Sequence, residues 1–222
     1  MKILTTILTH SGTQEQANAC LDTWVNNIKA PHEYFFYGDQ QQSQKMDKTW
    51  NCSPDEGEAR FRLPEKTYKM LVESLKHEWD FLFKCDDDTY INFDKLMQFL
   101  KDYDASADWY IGGKIVNPFP YAQGGAGYIL TRKAVEKCLQ SLKHFYKNEF
   151  KNKSAEDYSI GLALRDQKID LTVTDLLSTP SPDSARSDQS VCMNAIMNHD
   201  KITTHYVNSN TMRQIHEARS KR

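Results

Sequence analysis

The segment that most constrains the fold of this chain is DFLFKCDDDTYI at residues 80–91, where an apolar run ends in three consecutive carboxylates, Asp86, Asp87 and Asp88. Side chains alternate across a strand, so Asp86 and Asp88 are predicted to share one side while Asp87 points to the other. Two carboxylates on one side repel each other unless a divalent cation that prefers oxygen ligands lies between or beside them. The segment therefore predicts a buried strand that ends at a metal site. An acidic turn that caps the following segment is the simpler alternative.

A β-α-β unit is predicted ahead of this acidic strand. Residues 2–9 are expected to form a buried strand and residues 32–37 a second one, with a helix between them that ends before Pro31. The apolar face of that helix is expected to contain Ala17, Cys20, Leu21, Trp24 and Ile28. Parallel pairing of the two strands through a right-handed crossover predicts an α/β sheet, and ligand crevices form at the carboxyl edge of such sheets.

The rest of the chain is predicted to continue as helices, strands and loops of one domain, residues 1–222. Four helices are expected: at 64–77, from Asp94, at 132–142 and from Ser154. The first is expected to bury Tyr68, Leu71, Val72 and Leu75, and Thr131 is expected to be the N-cap of the third. Strands are expected at 107–111, at 124–130 after a glycine cluster, at 170–173 and at 201–210, the last followed by a basic helical tail. Loops or linkers are expected at 38–62, 112–123, 143–153 and 179–190.

Composition excludes some classes of protein. The formal net charge of -2 gives no reason to expect a nucleic-acid partner, and no run approaches the roughly 20 apolar residues that a membrane span needs. Five widely spaced cysteines without a C-x-x-C pair indicate reduced, structurally incidental thiols. The N-terminal residues resemble a first strand more than a signal peptide.

Four segments in this order are similar to those of a known family: DFLFKCDDDTYI, QGGAGYIL at 123–130, SAEDYSIGLAL at 154–164 and ITTHYVNSNTM at 202–212. Together they resemble the Fringe-like β1,3-glycosyltransferases, and among these most of all the core O-glycan β1,3-galactosyltransferases. The similarity extends from the first strand, through THSG and DTW, to Met212. It implies a GT-A fold with a mostly parallel central sheet flanked by helices, a UDP-sugar donor, a Mn²⁺ (or Mg²⁺) ion and inversion at the anomeric carbon.

The resemblance also implies roles for the acidic segment and its partner. Asp88 would be the direct carboxylate ligand of the ion, and His205 would complete the metal site. Asp86 would bind the nucleotide ribose, or the ion through water. Asp87 is grouped with the nucleotide-binding residues, but it faces the other way, and a structural role is the alternative. A lone histidine is otherwise more often a surface or packed residue.

The same matching implies that Asp157 is the catalytic base. Inversion by single displacement needs one carboxylate to take the proton of the acceptor hydroxyl as it attacks. Glu156 is the alternative base. A structural alternative is also open, since Ser154 and Asp157 fit a variant of the N-terminal capping box.

Further residues are expected to contact the donor. The backbone at Gly124 and Gly125 would approach the sugar closely, although glycines there also suit a tight turn before a strand. Thr9 and His10, at the end of the first strand, match the position that holds the uracil in the family. Lys66 would meet a phosphate, with an ordinary surface lysine as the alternative.

These inferences predict an inverting, metal-dependent transferase that moves a hexose, expected to be galactose, from a UDP-sugar to a glycan, glycopeptide or glycolipid. A fringe-type transferase that uses UDP-GlcNAc or UDP-glucose is the alternative. A phosphohydrolase with Asp86 as nucleophile and Asp88 as acid would carry its D-x-D on the first strand, whereas here a β-α-β unit precedes it. A silent binding module would have lost the D-x-D, the base or the histidine.

The resemblance bears on location and acceptor as well. Relatives are Golgi enzymes with a transmembrane anchor, a stem and several disulfides, and none of these features is found in this sequence. We therefore expect a cytoplasmic protein, with a trimmed Golgi-type catalytic core as the alternative. The chain is also shorter than its relatives between Asp157 and His205, which leaves the acceptor open. The sequence does not determine the oligomeric state.

Overall fold

The acidic strand lies at the centre of the fold. A computed structural model describes residues 1–38, 46–53, 62–148 and 155–221. The strands are β1 (Ile3–Thr9), β2 (Glu33–Gly38), β3 (Thr49–Asn51), β4 (Phe81–Asp86), β5 (Tyr90–Ile91), β6 (Tyr110–Gly112), β7 (Lys114–Val116), β8 (Pro120–Ala122), β9 (Tyr128–Thr131), β10 (Thr172–Val173), β11 (Leu177–Ser178) and β12 (Thr203–Thr204). The helices are α1 (Gln14–Asp22), α2 (Leu63–Ser74), α3 (Phe93–Leu100), α4 (Arg132–Asn148), α5 (Glu156–Asp166), α6 (Pro182–Ser187), α7 (Ser190–Met197) and α8 (Ser209–Ser220).

Seven strands form a mixed, mostly parallel central sheet in the order β10-β6-β9-β4-β1-β2-β3. Strand β1 pairs in parallel with β2 and with β4, as the β-α-β pattern predicts. Strand β9 is antiparallel to β4, so its first residues lie beside the end of β4. A small sheet in the order β11-β12-β5 lies next to the same edge, and β7 and β8 form a separate hairpin.

Apolar side chains on the two faces of the sheet form two buried clusters. Along β1, Ile3 and Ile7 belong to one cluster while Leu4 belongs to the other, because side chains alternate across the strand. Helices α1 and α8 pack on each other at the first face, and α4 packs on α2 and α5 at the second. The five cysteines are buried within these layers as free thiols. In the described part of the chain, no helix is both long and apolar enough to cross a membrane.

Two helices differ from their sequence-based expectations. Helix α1 ends at Asp22, where Thr23 leaves helical backbone angles and its hydroxyl donates to the Ala19 carbonyl at 2.5 Å; a separate 3-10 turn, Trp24–Asn27, follows. Trp24 is buried in the core, as predicted. The predicted buried face of α2 is confirmed at Leu71 and in part at Tyr68 and Leu75, which are partly buried against the core, but it is wrong at Val72, which is 37% exposed. The residues buried on α2 also include Thr67, Met70 and Ser74.

Several predicted loops contain short elements that the pattern did not indicate. Strand β3 lies within the predicted loop 38–62, the β7–β8 hairpin within 112–123, and helix α6 within 179–190. Residues 39–45 and 54–61 are outside the described residues. Strands of two or three residues are formed by pairing with neighbours, and such short segments carry no periodicity of their own.

Two boundaries near the glycine cluster also differ. Helix α4 continues to Asn148, into the predicted linker. Thr131 belongs to β9, where its hydroxyl donates to the Ala107 carbonyl at 2.7 Å. The predicted start of a helix at Ser154 lies outside the described residues, and α5 is described from Glu156.

Candidate active site

The three carboxylates at the end of β4 separate into two groups. Asp86 is the last residue of β4 and lies beside Leu8 of β1. Asp87 turns towards the start of α1, where its Oδ2 accepts hydrogen bonds from the hydroxyls of Thr9 (2.7 Å) and Thr13 (2.6 Å). Burial raises the pKa of Asp87 to about 7, although these two hydrogen bonds act in the opposite direction. Asp87 is thus held by the protein, on the side away from Asp88.

Asp86, Asp88 and His205 form a compact cluster of metal-ligating atoms. One ligand atom from each of the three residues lies within 4.8 Å of the others, and His205 Nε2 is 3.0 Å from Asp88 Oδ1. The histidine arrives there because β12 pairs antiparallel with β5, which directly follows the acidic turn. Two carboxylates and one imidazole are a donor set that suits Mn²⁺. The residues present therefore fit the ion that the resemblance implies.

Neighbouring side chains hold the imidazole of His205 in place. The ring is 4% exposed and stacks on Tyr206, with 3.8 Å between ring centroids. Gln123 Nε2 lies 3.2 Å from His205 Nδ1, and Gln123 Oε1 accepts from the backbone N–H of Ala126 at 2.6 Å. Tyr206 has a φ of 63°, a left-handed conformation that is uncommon outside glycine and often occurs at functional sites. The protein itself thus fixes the orientation of this candidate ligand.

The glycine cluster approaches this site because β9 starts beside the end of β4. The carbonyl of Gly125 accepts from Asp86 N–H (3.2 Å) and from the Thr89 hydroxyl (2.7 Å). A Cβ at Gly125 would lie 1.9 Å from Cε1 of His205, and one at Gly124 would lie 2.3 Å from Oε1 of Glu156. The close approach that glycine permits here is therefore to protein side chains, a role that the sequence pattern left undetermined.

The two candidate bases lie in the first turn of α5 and have different surroundings. Glu156 is buried: Lys84 Nζ lies 2.5 Å from its Oε1, and the Tyr128 hydroxyl donates to its Oε2 at 3.2 Å. Burial raises the pKa of Glu156 to about 7, despite the opposing effect of Lys84. Asp157 is partly exposed and accepts from the N–H groups of Gly124 (3.1 Å) and Tyr158 (2.8 Å).

Lys84 is a charged residue of this site that the sequence reasoning did not single out. Its amino group is fully buried and contacts Asp86 Oδ1 at 2.8 Å as well as Glu156. The signal was present in the sequence, since a lysine in the middle of the apolar run FLFKC must find buried partners. Its partner on α5 is more than 70 residues away, so the sequence pattern could not identify it.

Two adjoining cavities border the cluster. The first has a volume of about 360 Å³ and is lined by Leu8, Thr9, His10, Thr13, Leu63, Lys66, Asp86, Asp87 and Asp88. The second, of about 310 Å³, is lined by Leu8, Leu63, Asp86, Asp88, Gln123, Gly124, Gly125, Glu156, Asp157, His205 and Tyr206. Lys66 is 2% exposed, so the surface-lysine alternative is wrong. The structure brings together all the residues predicted for the site along these two cavities.

Comparison with known proteins agrees with the sequence motifs. The family model described as Fringe-like matches residues 8–210. The chain is 36% identical over 93 residues to glycoprotein-N-acetylgalactosamine 3-beta-galactosyltransferase 1 of Xenopus laevis, covering 39% of this chain and 26% of that protein. It is 26% identical over 125 residues to beta-1,3-glucosyltransferase of Mus musculus, covering 53% of this chain and 25% of that protein. The matches thus span about a quarter of the length of these relatives.

Solved structures support the fold. A glycosyltransferase involved in glycosylation of the major capsid of PBCV-1 superposes with a TM-score of 0.57 at 11% identity, covering 97% of this chain and 99% of that one. Galactosyltransferase LgtC, solved with donor and acceptor sugar analogues, superposes with a TM-score of 0.56 at 11% identity, covering 98% of this chain and 96% of that one. These likenesses confirm the predicted GT-A fold.

Proposed function

The chain belongs to the Fringe-like family, and from this premise we propose that it is an inverting, metal-dependent β1,3-glycosyltransferase that uses a UDP-sugar. The observation that carries the proposal is the convergence of the Asp86, Asp88 and His205 cluster and the Asp157 carboxylate on one cavity. A metal-held diphosphate and a proton acceptor are the two parts that a single displacement at a sugar carbon requires.

Asp88, His205 and Asp86 would hold a Mn²⁺ ion. When bound, the ion supplies positive charge that stabilises the diphosphate as UDP leaves. The cavity lined by Thr9, His10 and Lys66 adjoins this cluster and would accommodate the nucleotide. Lys66 contributes a cation at the wall of that cavity, where a diphosphate would benefit from it.

Asp157 is the better candidate for the base. Its carboxylate is partly exposed to the second cavity, and two backbone N–H groups fix its orientation. We assign to Asp157 the role of accepting the proton of the acceptor hydroxyl. The hydroxyl oxygen bonds to the anomeric carbon on the face opposite to the bond to UDP, which breaks. Glu156 is less suited because it is buried and both its oxygens are engaged with Lys84 and Tyr128.

The order of candidate donor sugars follows the identity of the relatives to this chain. The Xenopus laevis relative, with the higher identity, is named as a galactosyltransferase, and the mouse relative as a glucosyltransferase. We therefore propose UDP-galactose first and UDP-glucose second, with UDP-GlcNAc as the third donor to test. A glycan, glycopeptide or glycolipid would supply the acceptor hydroxyl.

The test is UDP release from each of the three donors against a panel of acceptors, which includes a peptide that carries N-acetylgalactosamine. We expect release with one donor in Mn²⁺, its loss in EDTA, and a β-configured anomeric proton in the NMR spectrum of the product. Release that is unchanged in EDTA would contradict the metal-dependent mechanism. Turnover of phosphomonoesters without sugar transfer would support the phosphohydrolase instead.

A further inference from the structure

The Lys84 ammonium lies in the interior, where three elements meet. Lys84 is 0% exposed, and its Nζ contacts Asp86 Oδ1 (2.8 Å), Glu156 Oε1 (2.5 Å) and the Gly124 carbonyl (3.2 Å). An ammonium has three donors, so these three acceptors satisfy it completely. A buried cation is costly unless it is paired and hydrogen-bonded, and here each bond is made to a different element of the site.

These three contacts join the two halves of the reaction centre. Asp86 belongs to the cluster that would hold the ion. The backbone of Gly124 makes both remaining links: its carbonyl accepts from Lys84, and its N–H, on the preceding peptide, donates to Asp157 Oδ2 at 3.1 Å. Glu156 immediately precedes Asp157 in the first turn of α5. The Lys84 side chain is therefore bonded to Asp86 of the candidate metal cluster and is linked to the candidate base through the backbone of Gly124 and through Glu156.

We propose that Lys84 is a positioning residue, which holds the Asp86 carboxylate and the Asp157 carboxylate at a fixed separation across the cavity. The proposal rests on the proposed function, because it assigns Lys84 a part in that reaction. Lys84 itself does not line either of the two cavities and does not touch substrate. Its effect is exerted through the groups that it orients.

A purely structural role is the competing explanation. In that case Lys84 serves only to neutralise the buried Glu156 carboxylate, and an uncharged pair of similar volume would replace both residues without loss. The two explanations predict different results for the double variant Lys84→Met/Glu156→Gln. This variant removes one positive and one negative group together, so the burial penalty is relieved, while the hydrogen bonds to Asp86 and to the Gly124 carbonyl are lost.

The experiment compares wild type with Lys84→Met, Glu156→Gln and the double variant, and measures thermal unfolding, calorimetric affinity for Mn²⁺ alone, and kcat at saturating Mn²⁺ and donor. Lys137→Met is the control, since Lys137 pairs with Asp108 outside the site. We expect Lys84→Met to be destabilised and the double variant to recover thermal stability. In the double variant, Mn²⁺ affinity and kcat are expected to stay lower by about 10- to 100-fold, as for groups that orient metal ligands.

The direction of the Mn²⁺ result is informative. Removal of a nearby positive charge alone would strengthen the binding of a cation, so a weaker affinity indicates lost orientation of Asp86. A double variant that recovers Mn²⁺ affinity and kcat along with stability would overturn the proposal. An equal loss in Glu156→Gln alone, or wild type that binds no Mn²⁺, would overturn it as well. Since Mn²⁺ binding needs no acceptor, absence of UDP release in wild type would count against the proposed function alone.

Discussion

Substitution of Gly125 by alanine is expected to displace His205 and thereby weaken metal binding. The new Cβ would lie 1.9 Å from Cε1 and 2.3 Å from Nε2 of the imidazole, whereas ordinary contact begins at 3.4 Å. The ring would have to retreat by about 1.5 Å to relieve the shorter contact, which is the difference between 3.4 and 1.9 Å. It has little room to do so, because Tyr206 is stacked against it.

The size of the effect follows from this crowding. Overpacking of a buried site costs about 1–3 kcal/mol, which lowers Tm by roughly 2–4 °C per kcal/mol for a chain of this size. The displaced Nε2 no longer meets Asp88 and Asp86 at ligand distance. We therefore expect a loss of about 10- to 100-fold in Mn²⁺ affinity, as when the orientation of a metal ligand is lost.

The assay is calorimetric titration of Mn²⁺ into wild type, Gly125→Ala and Gly161→Ala. Gly161 is the matched control, since a Cβ there would lie 2.4 Å from Cβ of Tyr121, away from the acidic cluster. The control is expected to lose stability and to keep its Mn²⁺ affinity. The reasoning is refuted if Gly125→Ala binds Mn²⁺ as wild type does, or if Gly161→Ala loses as much affinity.

Three further predictions concern the carboxylates. Asp157→Asn is expected to lower kcat by about 10²- to 10⁴-fold, whereas Glu156→Gln is expected to retain the kcat of wild type. The control is Asp94→Asn, at the second residue of α3, which should also retain it. A large loss of kcat in Glu156→Gln and none in Asp157→Asn would make Glu156 the base. Burial raises the pKa of Glu156 from 4.5 to about 7, so the folded chain keeps a proton that the unfolded chain releases. The stability that this proton contributes is fully present below pH 4.5 and is lost as the pH rises to 7. The free energy of unfolding of wild type, measured with urea and compared with that of Glu156→Gln, should therefore fall by about 3 kcal/mol over this range. A difference between the two proteins that does not change with pH would contradict this. Thr13→Val removes one of the two hydroxyl donors to Asp87 and should cost about 1–3 kcal/mol in thermal unfolding; an unchanged Tm would show that this bond contributes nothing.

The parts of the fold that follow from sequence are those with a strong local pattern. The nearly continuous buried runs of β1 and β4 and the apolar face of α3 determine those elements, because the strands are covered on both faces and the helix buries one side against the core. The β7–β8 hairpin and β3 could not be predicted in this way. Their three-residue strands exist through pairing with a neighbouring strand, and segments this short carry no periodicity of their own.

The candidate site shows the same division. The residues of the candidate metal cluster, Asp86, Asp88 and His205, follow from motifs whose order in the chain matches the family. The hydrogen-bond partners that distinguish Glu156 from Asp157 do not follow from the sequence, since they depend on how α5 packs beside Lys84 and Gly124. Sequence left the two carboxylates as alternatives, and tertiary packing buries one and leaves the other facing the cavity.

The most direct test of the central claim is calorimetric titration of UDP into the protein with Mn²⁺ and, separately, with EDTA. The account predicts that Mn²⁺ strengthens UDP binding by at least about 10-fold, because the ion joins the carboxylates to the diphosphate, and that Asp88→Asn abolishes this gain. UDP affinity that is equal in Mn²⁺ and EDTA would contradict a metal-held sugar nucleotide at Asp86, Asp88 and His205.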